Sequence, residues 1–220
     1  FASLSTSASS WNGIEIASGA QTTSNNLIRL GFDTAGLAYT TPIAINGILD
    51  NTISTTTTNR FYHNTVFIGG APSSGASQTA AFRATIAVAQ WQEIRNNIFA
   101  NVVANGTSTG TNAAIALGSQ PLAQSVINNN LLWAGNGLPN NFIGTGPGNA
   151  TTMTGINGWR RLSNTDQNGI HGNPGFINPT AGVGAINLQL SASNLAEGAG
   201  DIAVSNLVQN DFNENNRANN

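Results

Sequence analysis

Lysine and cysteine are both absent from this chain of 220 residues, and charged side chains of every kind make up only 7% of it. Without cysteine there is no disulfide framework, no zinc–thiolate site and no thiol catalysis. All seven basic residues are arginines, they form no basic run, and the formal charge is −2. Nucleic acid and anionic membranes are held by basic patches, so neither partner is expected. No apolar run approaches the roughly 18 residues that span a bilayer, so membrane insertion is not expected either. The chain opens at Phe1 with neither an initiator methionine nor a charged n-region, and is expected to be a processed part of something longer. In place of charge stand Asn, Thr, Ser, Gly and Ala.

What is present repeats. Arg95-Asn96-Asn97-Ile98-Phe99 shares its plan with Asn25-Asn26-Leu27-Ile28, His63-Asn64-Thr65-Val66 and Asn129-Asn130-Leu131-Leu132: a polar residue, an Asn, then mostly apolar residues. The second Asn falls at Asn26, Asn64, Asn97 and Asn130, in steps of 38, 33 and 33. Periods of this size mark stacked units, none of which buries its apolar face alone. Other columns keep the same step. Phe61, Ile94 and Ile127 form one, Val66, Phe99 and Leu132 another, and Phe82 matches Ile115 as Ala84 matches Leu117. Apolar columns in register with an Asn column predict an all-β fold, a right-handed parallel β-helix whose inward residues stack about 4.8 Å apart. Asn suits the corners because it tolerates the left-handed conformation and its amide can bond the same amide one coil away. The segments are too β-branched and Gly-rich for a leucine-rich solenoid, and the repeated register favours the helix over a β-sandwich.

The coils are placed at 1–135, with 1–10 a linker or the tail of a preceding turn. Residues 136–220 form an irregular C-terminal coil and cap packed on the same solenoid. Within them Thr154–Asn164 suits a short helix carrying Trp159, Asn173-Pro174-Gly175-Phe176 a turn, and Ile186–Leu190 an alternating strand. If Phe61 stacks on Ile94, alternation puts Arg60 beside Glu93 and Tyr62 beside Arg95 on the outer face. These four are expected to form one surface cluster, with Arg60 paired to Glu93 and Arg95 lying over the Tyr62 ring.

Chemistry-bearing patterns are sparse. The nine acids form neither an Asp-Asp pair nor alternating carboxylates on one strand, so the paired carboxyls of a glycosidase are not expected. No catalytic residue and no resident cofactor or metal is assigned. His63 reads as a corner residue bonded to backbone, and His171, five residues after Asp166, as part of a solvated loop. Asp211, Asn213 and Asn215 have the oxygen spacing that opens a calcium loop, but Asn216 replaces the usual Gly and no bidentate Glu follows. Trp133 follows the inward Leu132 and should point outward. The Thr55–Thr58 run is not repeated coil to coil, as a flat ice-binding array would require.

Asn25–Gly31, Phe61–Gly70 and Ile94–Phe99 resemble large secreted β-helix repeat proteins of Bacteroidetes. The ending is similar too, in Asn173–Phe176, Asn187–Leu190, Gly198-Ala199-Gly200 and Asp211-Phe212-Asn213 with Arg217. The resemblance implies export by the type IX secretion system, adhesin-like segments of giant surface proteins, and no defined catalytic residues. The family's usual Asp-Phe-Asp-Gly-Asn is here Asp211-Phe212 followed by Asn213-Glu214-Asn215, and the sorting domain would lie outside these residues. The expectation is therefore a non-enzymatic structural or adhesive segment, extracellular or at the cell surface. Its partners would be neighbouring domains of the same polypeptide, surface-complex subunits, or glycans. The alternatives are a carbohydrate-binding or degenerate polysaccharide-active β-helix, and a subunit of an extracellular filament or surface complex.

Overall fold

A computed structural model of the chain describes residues 10–53, 56–85, 91–118, 125–135, 137–146 and 151–217. The linker read at the N-terminus falls almost wholly outside them. Short strands separated by Asn, Gly and Ser-Gly turns follow one another in threes. The first coil holds β1 (Trp11–Ile16), β2 (Thr22–Ser24) and β3 (Leu27–Leu30). The second holds β4 (Ile45–Asp50), β5 (Thr58–Tyr62) and β6 (Thr65–Ile68). The third holds β7 (Thr79–Ala84), β8 (Trp91–Arg95) and β9 (Ile98–Asn101). The fourth holds β10 (Asn112–Leu117), β11 (Ser125–Asn128) and β12 (Leu131–Trp133). A closing partial coil contains β13 (Asn141–Thr145), β14 (Thr152–Met153), helix α1 (Ile156–Ser163) and β15 (Ile170–His171). Beyond it come β16 (Phe176–Asn178), β17 (Asn187–Leu190) and the short helix α2 (Ile202–Ser205).

Equivalent strands of successive coils pair in parallel, which makes the chain a β-solenoid of about four turns, 40% strand and 6% helix. Three sheets result, ordered β1-β4-β7-β10-β13-β14, β2-β5-β8-β11 and β3-β6-β9-β12-β15. Antiparallel pairing is confined to β13–β14 and the hairpin β16–β17 among the named strands. The registers fall on the sequence columns: Phe61 opposite Ile94, Ile94 opposite Ile127, Val66 opposite Phe99, and Phe99 opposite Leu132. All six side chains are fully buried in one continuous core. Parallel pairing runs past residue 135, through β13 and β15.

The corners divide a task that the sequence reading gave to one residue. The residue before each ladder Asn takes the left-handed backbone: Asn25 at φ 59°, His63 at 53°, Asn96 at 58° and Asn129 at 56°. That conformation costs most L-residues about 1–2 kcal/mol and Asn less. The next residue, Asn26, Asn64, Asn97 or Asn130, turns beneath the corner, and the last three are at most 1% exposed. One side chain cannot stand outside the bend and lie under it, so two adjacent residues are needed.

The C-terminal end of the core is plugged. The inward column Ile14, Ile48, Phe82, Ile115 ends at Gly144. The missing side chain there is replaced by Trp159 of α1, which is fully buried. A Cβ on Gly144 would lie 2.1 Å from Trp159 Cε3. Replacing Phe99 by Ala is expected to cost about 3–5 kcal/mol in urea unfolding, and Gly144→Ala about 1–3 kcal/mol through overpacking. A loss below about 1 kcal/mol for Phe99→Ala would contradict the packing described.

Candidate functional site

Each rung of the buried ladder bonds the next in the same direction. Asn26 donates its main-chain N–H and its Nδ2–H to Asn64 Oδ1, at 3.2 and 2.9 Å. Asn64 does the same to Asn97 Oδ1 at 2.9 and 3.0 Å, and Asn97 to Asn130 Oδ1 at 3.0 and 3.0 Å. The remaining amide proton of each later rung reaches back one coil, from Asn64 to Thr23 O, Asn97 to Phe61 O and Asn130 to Ile94 O. The side-chain amides of Asn64, Asn97 and Asn130 thereby both accept and donate, which removes a cost of about 1–3 kcal/mol per unpaired group.

The ladder ends on a residue the sequence reading passed over. Asp166, 1% exposed and at φ 53°, accepts from the Asn130 N–H at 3.5 Å and from Trp159 Nε1 at 3.0 Å. Its own N–H donates to Ile127 O at 2.5 Å, on the carbonyl column that the rungs use. The step from 130 to 166 is 36 residues, within the 33 to 38 of the earlier steps, but the residue type changes and Thr165 replaces the corner Asn or His, so the Asn pattern did not reach it. Burial pushes the Asp166 carboxyl up to about 6, against the bonds from Trp159 and Asn130 that pull it down. His171, read as part of a solvated loop beside it, is exposed and lies on β15 in register with Leu132.

The left-handed corner column faces outward and holds a C-terminal arm, residues 173–217. Asn129 Nδ2 donates to Ala199 O at 2.9 Å, and Asn96 Nδ2 to Asp201 O at 3.0 Å. Asp201 N–H returns a bond to Asn96 Oδ1 at 2.8 Å, while Asn25 Nδ2 donates to Asn210 O at 2.8 Å. Arg217 Nη2 closes the series on Asn25 Oδ1 at 2.5 Å. The arm therefore runs back along the corner from the fourth coil to the first. His63 differs from its column mates and from the backbone partner expected for it: its ring Nε2 lies 3.3 Å from Asn96 Nδ2. Between the arm and this column lies a cleft of about 520 Å³. Asn213 and Asn216, the charged Asp211 and Arg217, and the aliphatic Leu27 and Ile98 line it.

The arm also explains the outer face of the third sheet. Phe67, Ala100 and Trp133 would be solvent-facing on a bare solenoid, but they pack with Phe176 and Leu188 of the hairpin. Trp133 does point outward, beneath this cover. The runs Val66-Phe67-Ile68 and Leu131-Leu132-Trp133 carry the signal, since uninterrupted apolar strands are buried on both faces.

The outer cluster of the second and third coils has the register Arg60 opposite Glu93 and Tyr62 opposite Arg95. Arg60 Nε lies 3.5 Å from Glu93 Oε1, a half-exposed pair worth about 0–1 kcal/mol. Tyr62 donates its hydroxyl to Glu93 Oε2 at 2.5 Å and is 1% exposed. Burial, then the bond to Glu93, pushes its pKa up to about 12. Arg95 departs from the expected stacking on Tyr62. Its Nη1 pairs with Asp201 Oδ2 at 3.2 Å, because the arm brings in a carboxylate, and full charge outbids a ring face. The calcium-like trio is also arranged otherwise. Asp211 Oδ1 accepts the N–H groups of Asn213 and Asn215 at 2.8 Å each, and Asn215 turns Nδ2 toward Oδ2 at 3.1 Å.

Four buried polar atoms lack a partner among the described residues where the arm meets the solenoid: Arg95 Nε, Asn129 Oδ1, Trp133 Nε1 and Arg217 Nε. At about 1–3 kcal/mol each they offset much of what the tethers contribute. In native hydrogen exchange the amides of 199–217 are expected to open at least about tenfold faster than those of β5 and β8. Equal protection would show the arm and coils to be one cooperative unit.

A second expectation concerns acid. Burial, then the Arg217 guanidinium, pushes the His63 pKa down to about 4, against about 6.5 unfolded. The folded histidine stays neutral while the unfolded one gains a proton, so its stabilising contribution is full above pH 6.5. It is lost as pH falls toward 4, by about 3 kcal/mol for the whole gap. The Asp166 shift works in the opposite sense, its cost being relieved as pH falls below about 6. His63→Asn, which copies Asn25, Asn96 and Asn129, is expected to match the native chain at pH 7 within about 0.5 kcal/mol. Its advantage should grow steadily in urea unfolding from pH 6.5 to 4; parallel curves would refute the assignment.

In comparisons with known proteins, no family model matches this sequence, and no curated protein or solved structure matches it either.

Proposed function

We propose that this chain is a non-enzymatic structural and adhesive segment of an extracellular or cell-surface protein, built as a right-handed parallel β-helix. The observation that carries the reading is how the polar side chains are committed. The ladder Asn residues hold coil to coil, and the corner Asn residues hold the arm. A catalytic site keeps groups in reserve, convergent and with shifted pKa values. Here the strongly shifted carboxyl, Asp166, is enclosed by Trp159 and the ladder end. Among the described residues no group of three or more His, Cys, Asp or Glu is placed to hold a metal ion. The extracellular setting and the surface partners rest on the resemblance to secreted Bacteroidetes repeat proteins and on the composition.

A carbohydrate-binding reading is favoured by one further observation, the cleft under the arm. Its amides and aliphatic walls match the alternating hydroxyl edges and C–H faces of a sugar, and Phe212 on its rim is 60% exposed. Glycan-array binding abolished by Phe212→Ala would support it, and a blank array would leave the scaffold alone.

Purified protein incubated with plant, algal and bacterial polysaccharides is expected to release neither reducing nor unsaturated ends. Release that disappears on replacing a single acid would overturn the non-enzymatic reading.

A further inference from the structure

The arm is tied to the corner column at the first, third and fourth coils, and not at the second. Asn129, Asn96 and Asn25 each donate Nδ2 to a main-chain oxygen of the arm, at Ala199, Asp201 and Asn210. His63 holds the same left-handed place in the second coil and makes no bond to the arm among the described residues. The chain between the neighbouring tethers has length to spare. Residues 202–209 bridge two coils, about 10 Å, where the extended segment would reach about 25 Å. The surplus contains α2 and swings out over the second sheet, where Leu207 and Val208 lie beside Thr22, Arg60 and Tyr62. His63, left without an arm partner, lines the cleft together with Asp211 and Arg217.

The proton of the His63 ring can be placed. Asn96 Oδ1 accepts the Asp201 N–H at 2.8 Å, which fixes the orientation of that amide and leaves Nδ2 as the group facing His63. Asn96 Nδ2 donates one proton to Asp201 O at 3.0 Å and the other to His63 Nε2 at 3.3 Å. Nε2 is therefore an acceptor, and the neutral ring carries its proton on Nδ1. The ring is neutral at pH 7, since burial and then Arg217 push its pKa down to about 4. Nδ1 has no protein partner among the described residues and does not belong to the buried polar atoms left without one, so its N–H is open to solvent. Asp211 supplies an acceptor. Three N–H groups take three of the roughly four acceptor positions of its carboxylate. Its charge and that of Arg217 act on each other and cancel.

From these groups we infer that His63 is a binding residue of the cleft, which donates its Nδ1–H to a hydroxyl of an uncharged sugar. The inference rests on the carbohydrate-binding reading above and narrows it. A sugar hydroxyl accepts one hydrogen bond while donating another, and the cleft offers an open donor at His63 and a remaining acceptor position at Asp211. A carboxylated or sulfated sugar does not qualify. Its charge would meet the Asp211 carboxylate, with a neutral imidazole on one side and an Arg217 already turned to Asn25 on the other. A protonated amino sugar fails at His63 itself, which presents a proton where the amine needs a lone pair.

The chain has only two histidines, so each ring can be followed separately by NMR. A nitrogen-resolved spectrum at pH 7 should show the His63 proton on Nδ1. Cellotetraose, mannotetraose and maltotetraose are then titrated to about 10 mM. At least one of the three should shift the His63 ring and leave His171 in place, while trigalacturonate moves neither. His63→Gly keeps the left-handed backbone without strain and removes the donor. Binding of the active tetrasaccharide to that variant, read from amide resonances of the arm, should fall at least about tenfold. Four results would each overturn the inference and leave the carbohydrate reading standing: a proton on Nε2, a His63 ring unmoved by a tetrasaccharide that shifts the arm, equal binding by the variant, or tighter binding of trigalacturonate. If no oligosaccharide shifts any resonance, the carbohydrate reading itself falls, and the inference with it.

Discussion

Everything in this molecule depends on an amide that gives and takes at once. Asn64, Asn97 and Asn130, each under a corner, accept two N–H groups on one oxygen and donate in both directions along the stack. Parallel strands alone would leave the coils free to slip, because their main-chain bonds are alike at every residue. A slip of one residue would turn each apolar column outward and leave an Asn buried without its partner. Hydrogen bonding and apolar stacking therefore select the same register. Their agreement is what lets short strands, four or five residues each in β5, β6, β8 and β9, build a stable core.

The same logic separates the two faces of each corner. The buried rung is shielded from water and its bonds are strong. The left-handed residue beside it stands outside, where an amide gains little unless something covers it. The C-terminal arm supplies that cover and uses these side chains as anchoring points. It also shields Phe67, Ala100 and Trp133, which a bare solenoid would expose. The anchorage has a weak aspect, since several polar atoms under the arm are buried without partners among the described residues.

The ends of the stack show why charge is so scarce and so placed. A carboxylate within the ladder would block the donation that each Asn makes to the next rung. At the last position this property is useful, and Asp166 ends the series with help from Trp159. Asp201 is used in a comparable way on the surface, pairing with Arg95 and capping α2 through Ala203 N. Each acid sits where its lack of a proton matters.

The coil plan was legible in the sequence because stacking repeats the same environment. Phe61, Ile94 and Ile127 are alike because each stacks on the next, and the outer pair Arg60–Glu93 follows by alternation alone. The corner Asn pairs were visible for the same reason, although their division of labour was not, since both residues recur together. Asp166, the Trp159 plug and the path of the arm were decided by tertiary structure. Each occurs once, at the end of the repeat or across it, and joins residues such as Arg95 and Asp201 that no period relates. A repeating sequence determines what its units do to one another. How the stack ends and what lies across it depend on single contacts between distant residues, and those form only once the coils exist to be capped and covered.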